Sequence, residues 1–384
     1  PRGSQNLTRN LKQNLKMTGK RSRNIEVGAA ICTILVLAPV VLSQNSSPIP
    51  VDKSQLKAWF NANIKPASAR GSTIDPALAK AEAAAHIIKV KKDGSGDFDT
   101  ITKAIASVPS GNTKRVIISI GGGSYREKIR IDRSKPFITF YGDPRNMPNL
   151  SYDGTARQYG TVDSATLIVE SDYFVAANIV IQNTAPRPDG VMVGAQAVSL
   201  RISGDKAAFY NCKIIGFQDT LCDDRGNHFF KDCYIRGTVD FIFGSGKSLY
   251  LNTVLYVDGQ KGVTVITAQA RESSSENTGY SFVHCTVTGT ASGAYLGRAW
   301  KTSPRVVFAY TNMSSVIHPL GWSDNLHPER AKTVFFGEYK CKGKGASFSG
   351  REKYAKRLTD GEAKPFLVLG FIDGAKWLLP PPRV

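Results

Sequence analysis

Phe209-Tyr210-Asn211-Cys212-Lys213-Ile214-Ile215-Gly216-Phe217-Gln218-Asp219 is followed, 21 residues on, by Phe230-Lys231-Asp232-Cys233-Tyr234-Ile235-Arg236-Gly237-Thr238-Val239-Asp240. Phe, Cys, Ile, Gly and Asp recur at the same five places. A period this short cannot hold a domain, but it suits one coil of a solenoid. Matched positions then fall on neighbouring strands roughly 4.8 Å apart. The repeat therefore predicts a parallel β-helix in which one carboxylate is stacked on another.

The pattern continues outward more loosely. An aromatic residue is followed five places later by an apolar one in Phe174/Ile179, Phe282/Val287 and Phe308/Met313. The gaps between copies vary, as they do when a β-helix loops insertions out between strands. Short β runs are expected at 116–120, 129–131, 137–141, 166–169, 179–181 and 197–201. Asp75-Pro76 starts a helix through Ala85, because Asp caps and Pro suits the first turn. A second helix, 100–108, carries Ile101, Ala104, Ile105 and Val108 at helical spacing, and would close the open end of the solenoid. Residues 44–70 read as an extended lead-in, and 360–366 as a short helix. The fold class expected is all-β, a single-stranded solenoid with short capping helices.

Residues 1–43 have the pattern of a targeting segment. Lys16, Lys20, Arg21 and Arg23 precede an apolar run from Val27 to Leu42, with small residues before Gln44. Secretion with cleavage is expected, an uncleaved anchor being the alternative. The domain reading is 1–43 upstream residues and signal, 44–86 lead-in, and 87–380 the β-helix catalytic domain. The chain carries a formal charge of +19, and about +13 without residues 1–43. A secreted basic protein meets acidic polysaccharide sooner than nucleic acid. Outside the leader lie Cys212, Cys222, Cys233, Cys285 and Cys341, too few and too sparse for a disulfide framework. Cys212 and Cys233 share a repeat position, so either a pair across coils or two buried thiols fits. Asn45, Asn149 and Asn312 begin glycosylation sequons.

No G-x-S-x-G, H-E-x-x-H or P-loop is present. His86, His228, His284, His318 and His327 have no metal-ligand spacing and read as surface or packing residues. Carboxylates remain. Stacked Asp219 and Asp240 would repel, leaving one protonated acid beside one ionised nucleophile. Gln196 and Gln218 supply uncharged amide donors of the kind an oxyanion needs. Asp240 precedes the apolar run Phe241-Ile242-Phe243 and requires a partner, for which Arg298 is the candidate. Trp300 offers a flat face to a sugar ring or, alternatively, to the core.

Gly123-Ser124-Tyr125-Arg126-Glu127, 196–201, Gln218-Asp219-Thr220-Leu221, 240–244 and Leu296-Gly297-Arg298-Ala299-Trp300 resemble, in order, five signature segments of plant pectin methylesterases. The resemblance covers about residues 85–380. It implies a right-handed parallel β-helix that hydrolyses methyl esters of galacturonate units in pectin, in the plant cell wall, without a cofactor. It makes Asp240 the nucleophile, Asp219 the general acid and then base, Gln196 and Gln218 the oxyanion donors, and Arg298 the residue that orients Asp240. The substrate-binding set it implies is Trp300, Phe241, Gln196 and Arg298. Ser199, Phe217, Cys222 and Ala299 depart from the usual family residues, but none is a reacting group. The inhibitor-like helical domain of many relatives does not fit in 44–86. Partners implied are methyl-esterified homogalacturonan and a proteinaceous pectinesterase inhibitor, with the chain a monomer. Taken alone, paired carboxylates also fit a retaining glycosidase on an acidic polysaccharide, and the fold alone fits a non-catalytic wall-binding protein.

Overall fold

The computed structural model describes residues 47–259, 262–382 and 384. The expected leader, 1–43, lies outside them. Three parallel sheets, of eleven, eight and eight strands, wind into a right-handed parallel β-helix. Each coil contributes one strand to each sheet. In the repeat, Phe209 pairs with Phe230, Ile214 with Ile235 and Leu221 with Ile242. The 21-residue offset is thus one full turn of the solenoid.

Alternation sends every second side chain inward, and stacking lines up like with like. Phe209 and Phe230 stack with ring centroids 4.7 Å apart, Phe230 and Tyr250 at 4.6 Å, Tyr250 and Phe282 at 4.4 Å, and Phe282 and Phe308 at 4.5 Å. The wide gap in the sequence pattern between Phe230 and Phe282 is filled by Tyr250, whose hydroxyl finds the buried carboxylate of Asp223 at 2.6 Å. Rings burying this much area dominate the interior energetics. Cys212, Cys233 and Cys285 occupy one inward ladder beside the stack as buried free thiols. The unbonded alternative is the one adopted.

The helix Ile101–Ser107 closes the first coils as expected. Ile101, Ala104 and Ile105 join the main core with Val116, Ile118 and Ile129. The Glu127 carboxylate accepts the backbone N–H groups of Ile101 (3.0 Å) and Thr102 (2.9 Å), so this residue of the first signature segment is a helix cap. The helix Pro76–Ala83 forms, with the Asp75 carboxylate accepting the Ala77 N–H at 2.9 Å.

Residues 44–70 differ from the extended reading, because Leu56–Asn63 is helical. Leu56, Trp59 and Phe60 have i, i+3, i+4 spacing, and this stripe packs on the outer face of the eleven-stranded sheet beside Tyr210 and Phe229. A helix this short is held by tertiary contact rather than by propensity. The C-terminal segments Asp360–Ala363 and Leu369–Ile372 cover the same face.

Candidate active site

The site forms at the corner between the two eight-stranded sheets. Lys213–Ile215 ends in one sheet and Leu221–Asp223 begins in the other; Tyr234–Gly237 and Ile242–Gly244 repeat this one coil later. Gly216 and Gly237 stand where each chain turns. A Cβ on Gly237 would lie 2.2 Å from the Phe241 Cβ and 2.7 Å from the Phe217 carbonyl oxygen, so the corner closes only around glycine.

Asp219 and Asp240 both adopt left-handed backbone, with φ of 64° and 49°. The Asp219 N–H donates to the Val239 carbonyl (3.0 Å) and the Leu221 N–H to that of Phe241 (2.9 Å), locking the two corners in register. This conformation is uncommon for residues other than glycine and is better tolerated by Asp than by most. It is observed at both carboxylates that the repeat aligns.

The same local reversal separates Asp240 from its neighbour. Phe241 is fully buried within the main core. Its side chain has no face for a sugar, and the binding role expected of it is replaced by packing over Gly237.

Both carboxyls are nearly buried, Asp219 at 9% and Asp240 at 5% exposure, but their partners differ. Arg298, on Tyr295–Arg298 two coils further along, donates from Nε to Asp240 Oδ1 at 2.8 Å and from Nη2 to Oδ2. This is the two-point fork expected of an Arg–carboxylate pair. Among the described residues Asp219 has no such cation. Burial pushes its carboxyl well above the ordinary range, the charge of Asp240 pushes it further, and Arg298 opposes weakly. Burial raises Asp240 as well, but the hydrogen bonds and charge of Arg298 oppose it, so Asp240 is raised less than Asp219. The arrangement favours a protonated Asp219 beside an ionised Asp240.

Gln196 and Gln218 are half-buried, on the coil before Asp219 and immediately before Asp219 itself. The Ala197 N–H donates to the Gln218 carbonyl at 3.2 Å, which sets the two glutamine segments side by side. Among the described residues neither side-chain amide is engaged in a hydrogen bond. Trp300 is 47% exposed, and the Arg298 guanidinium lies 4.8 Å from its ring centroid. Its outer face is open, unlike that of a core tryptophan such as Trp322.

The departures from family residues leave this set intact. Ser199 Oγ donates to the Ile215 carbonyl at 2.5 Å and accepts the Asn183 N–H at 3.0 Å, tying the corner together. The Phe217 ring lies near the guanidinium groups of both Arg187 (5.0 Å) and Arg236 (5.8 Å). Cys222 and Ala299 are buried.

Some features near these residues in sequence or space were not anticipated. Val191 and Val193 are exposed on the loop before Gln196, which is turned by Asp189 accepting the N–H groups of Val191 (2.9 Å) and Met192 (2.8 Å). Asn325 accepts from Arg298 Nη1 at 2.9 Å. An apolar triplet inside a Pro/Gly-rich loop was the available signal for the first; an asparagine in a turn gave none for the second. His228 was read as a packing residue. It is buried, and its ring nitrogens lie 2.5 Å from the Asp223 carboxylate and 2.9 Å from the Gly204 carbonyl.

Comparison with known proteins adds the family. The Pectinesterase family model matches residues 87–375. Putative pectinesterase 63 of Arabidopsis thaliana is 57% identical over 352 residues, 92% of this chain and 96% of its own length. Pectinesterase 2 of Olea europaea is 58% identical over 358 residues, 93% and 98% of the two chains. Among solved structures, the pectin methylesterase from carrot superposes with a TM-score of 0.72 at 32% identity, covering 77% of this chain and 97% of that one. With its paired corner carboxylates, its parallel β-helix and relatives of this closeness along nearly its whole length, the chain belongs to the pectinesterase family.

Proposed function

We propose that Asp240 is the nucleophile with which this pectinesterase removes methyl esters from the galacturonate units of pectin. An Asp240 carboxylate oxygen attacks the ester carbonyl carbon. The carbonyl π electrons move onto oxygen, and the amides of Gln196 and Gln218 receive that negative charge by hydrogen bonding. The tetrahedral species collapses, the carbon–methoxy bond breaks, and Asp219 passes its proton to the departing methoxy oxygen, giving methanol. The product on the enzyme is an anhydride between Asp240 and the sugar acid. Asp219, now ionised, takes a proton from water as that water adds to the anhydride carbonyl. Cleavage frees the sugar as its carboxylic acid, which gives its proton to solvent, and restores ionised Asp240, while the proton taken from water rests on Asp219.

The observation that carries this reading is the unequal environment of two equivalent corners. Arg298 holds Asp240 by two points, whereas Asp219, one coil away and also buried, has no cation of its own among the described residues. Arg298 orients the nucleophile and keeps it ionised, and Trp300 carries the adjacent sugar. Residues 87–380 form the catalytic domain in this reading. The enzyme works as a secreted monomer on methyl-esterified homogalacturonan in the plant cell wall, open to a proteinaceous inhibitor. Among the described residues no helix is long and apolar enough to cross a membrane.

The test measures methanol and new reducing ends from methylated pectin, for the wild type and Asp240→Asn. Methanol without reducing ends, lost in the folded variant, is expected. Reducing ends would favour a glycosidase, and a fully active Asp240→Asn would remove the nucleophile assignment.

A further inference from the structure

The guanidinium of Arg298 is held on more than one side. Nε and Nη2 face Asp240, the ring of Trp300 lies under it, and Nη1 donates to Asn325 Oδ1 at 2.9 Å. Asn325 follows Trp322–Ser323, the strand that pairs with Tyr295–Arg298, Arg298 lying opposite Ser323. It therefore sits on the coil beyond the arginine, on the side away from Asp240.

The loop that carries Asn325 is bent in an unusual way. Asn325 and Leu326 are consecutive left-handed residues, with φ of 61° and 60°. Leu326 is 94% exposed, so burial of its side chain does not compensate for this conformation. Local hydrogen bonds hold the bend: the Asn325 N–H donates to Ser323 Oγ (3.0 Å) and the Leu326 N–H to Asp324 Oδ1 (3.0 Å). The far end of the loop grips the same segment as Arg298, because Arg330 Nη1 donates to the carbonyls of Ala299 (2.7 Å) and Trp300 (3.0 Å). Strained backbone beside a reacting group is an outlier that calls for a functional account.

We infer that Asn325 is a positioning residue: its side-chain oxygen fixes the free end of Arg298 so that the other edge of the guanidinium meets both oxygens of Asp240. The inference rests on Asp240 being the nucleophile. An amide oxygen suits this task because it accepts a hydrogen bond without bringing a charge that would compete with Asp240 for the cation. Five N–H groups in a rigid plane make the arginine sensitive to what is attached at its far end. Among the described residues, the charged or titratable groups around Asp240 are Asp219 on the preceding coil and Arg298 two coils on; Asp324, His327, Glu329 and Arg330 share the loop with Asn325, and His327 Nδ1 lies 3.0 Å from the Glu329 carboxylate.

Glycine accepts the left-handed backbone, so Asn325→Gly removes the side chain without straining the turn. In the full-length enzyme this variant is expected to lower kcat for methanol release about tenfold at the acidic end of the profile, with KM nearly unchanged, the loss of one charge-assisted hydrogen bond. The acid limb of kcat/KM moves to higher pH, because a loosened Arg298 stabilises ionised Asp240 less well, and the loss shrinks on the plateau. Asn325→Asp keeps the acceptor and the turn but adds an anion. It should recover the plateau rate while its acid limb stays shifted. A uniform fall across pH in Asn325→Gly, or a profile that overlays the wild type, would overturn the inference. Asp240→Asn is assayed alongside. If it is inactive while Asn325→Gly is unaffected, only the positioning role fails; if it is active, the nucleophile assignment fails first.

Discussion

Two corners of the solenoid use the same backbone device for different ends. At the corner between the eleven-stranded sheet and the next, Asn178, Asn211, Asp232, Asn252, His284, Tyr310 and Lys340 all take left-handed φ, one per coil. Their side chains form a polar ladder: Asn211 Nδ2 donates to Asn178 Oδ1 at 2.9 Å, and Asn252 Nδ2 to Asp232 Oδ1 at 2.5 Å. Asp232 is 40% exposed and paired with Lys231. At the corner between the two eight-stranded sheets, Asp219 and Asp240 have the same φ sign, but both are buried and Arg298 forks onto Asp240 alone. A left-handed aspartate is therefore not itself a catalytic feature. Desolvation and an asymmetric supply of cations set the second corner apart, while exposure and a neighbouring lysine mark the first.

The comparison can be broken by neutralising carboxylates one at a time. Asp219→Asn should have the largest effect and a double signature. Methanol release falls by roughly a thousandfold or more, since the proton donor and later base is gone. Thermal stability near neutral pH rises instead of falling. The folded state holds the Asp219 proton more tightly than the unfolded chain, because burial and then Asp240 raise its pKa. The folded form thus loses stability from this group as pH climbs from the ordinary carboxylate range through the folded value. Asparagine removes that penalty, and calorimetry across pH would show a higher Tm and a flatter dependence. A lower Tm would contradict the assignment of Asp219 as the protonated partner.

Arg298→Lys should cost about a hundredfold, because a lysine keeps the charge but not the fork. Its acid limb should move up in pH as Asp240 becomes harder to ionise, which a kcat/KM profile would detect. Gln218→Ala should lower kcat by about a hundredfold with little change in KM, as expected for a donor used mainly in the transition state. Loss of KM alone would assign Gln218 to ground-state binding. The smallest effect belongs to the first corner. Asp232→Asn should change stability by less than about 1 kcal/mol and leave methanol release intact, as for a partly exposed pair.

Much of this was legible in the chain because a solenoid writes its geometry into a period. Phe209 and Phe230, Ile214 and Ile235, and Asp219 and Asp240 are neighbours in space because they are matched in sequence. Arg298 could be named as the partner of Asp240 on chemical need, since a carboxylate ahead of an apolar run requires a cation. The failures have local causes. Phe241 was expected at the substrate because it follows Asp240, but the left-handed turn at Asp240 sends successive side chains to opposite sides of the wall. Residues 44–70 were read as extended because they are polar and proline-punctuated, and the i, i+3, i+4 stripe of Leu56, Trp59 and Phe60 is received by a sheet face formed much later in the chain. Asn325 left no trace, because an asparagine in a turn ordinarily serves only the turn. The buried ring of His228 against Asp223 could not be paired from sequence either, since the two residues meet across an inward-facing coil rather than through the repeat.

The claim that environment and not backbone makes the second corner catalytic is tested most directly by one assay on two variants. Asp240→Asn and Asp232→Asn each change one oxygen-bearing group to an amide at a left-handed corner residue. Methanol release from methylated pectin, measured on both purified proteins with matching circular dichroism, should be abolished in the first and near wild type in the second. Comparable activity in the two, whether both retained or both lost, would contradict the account.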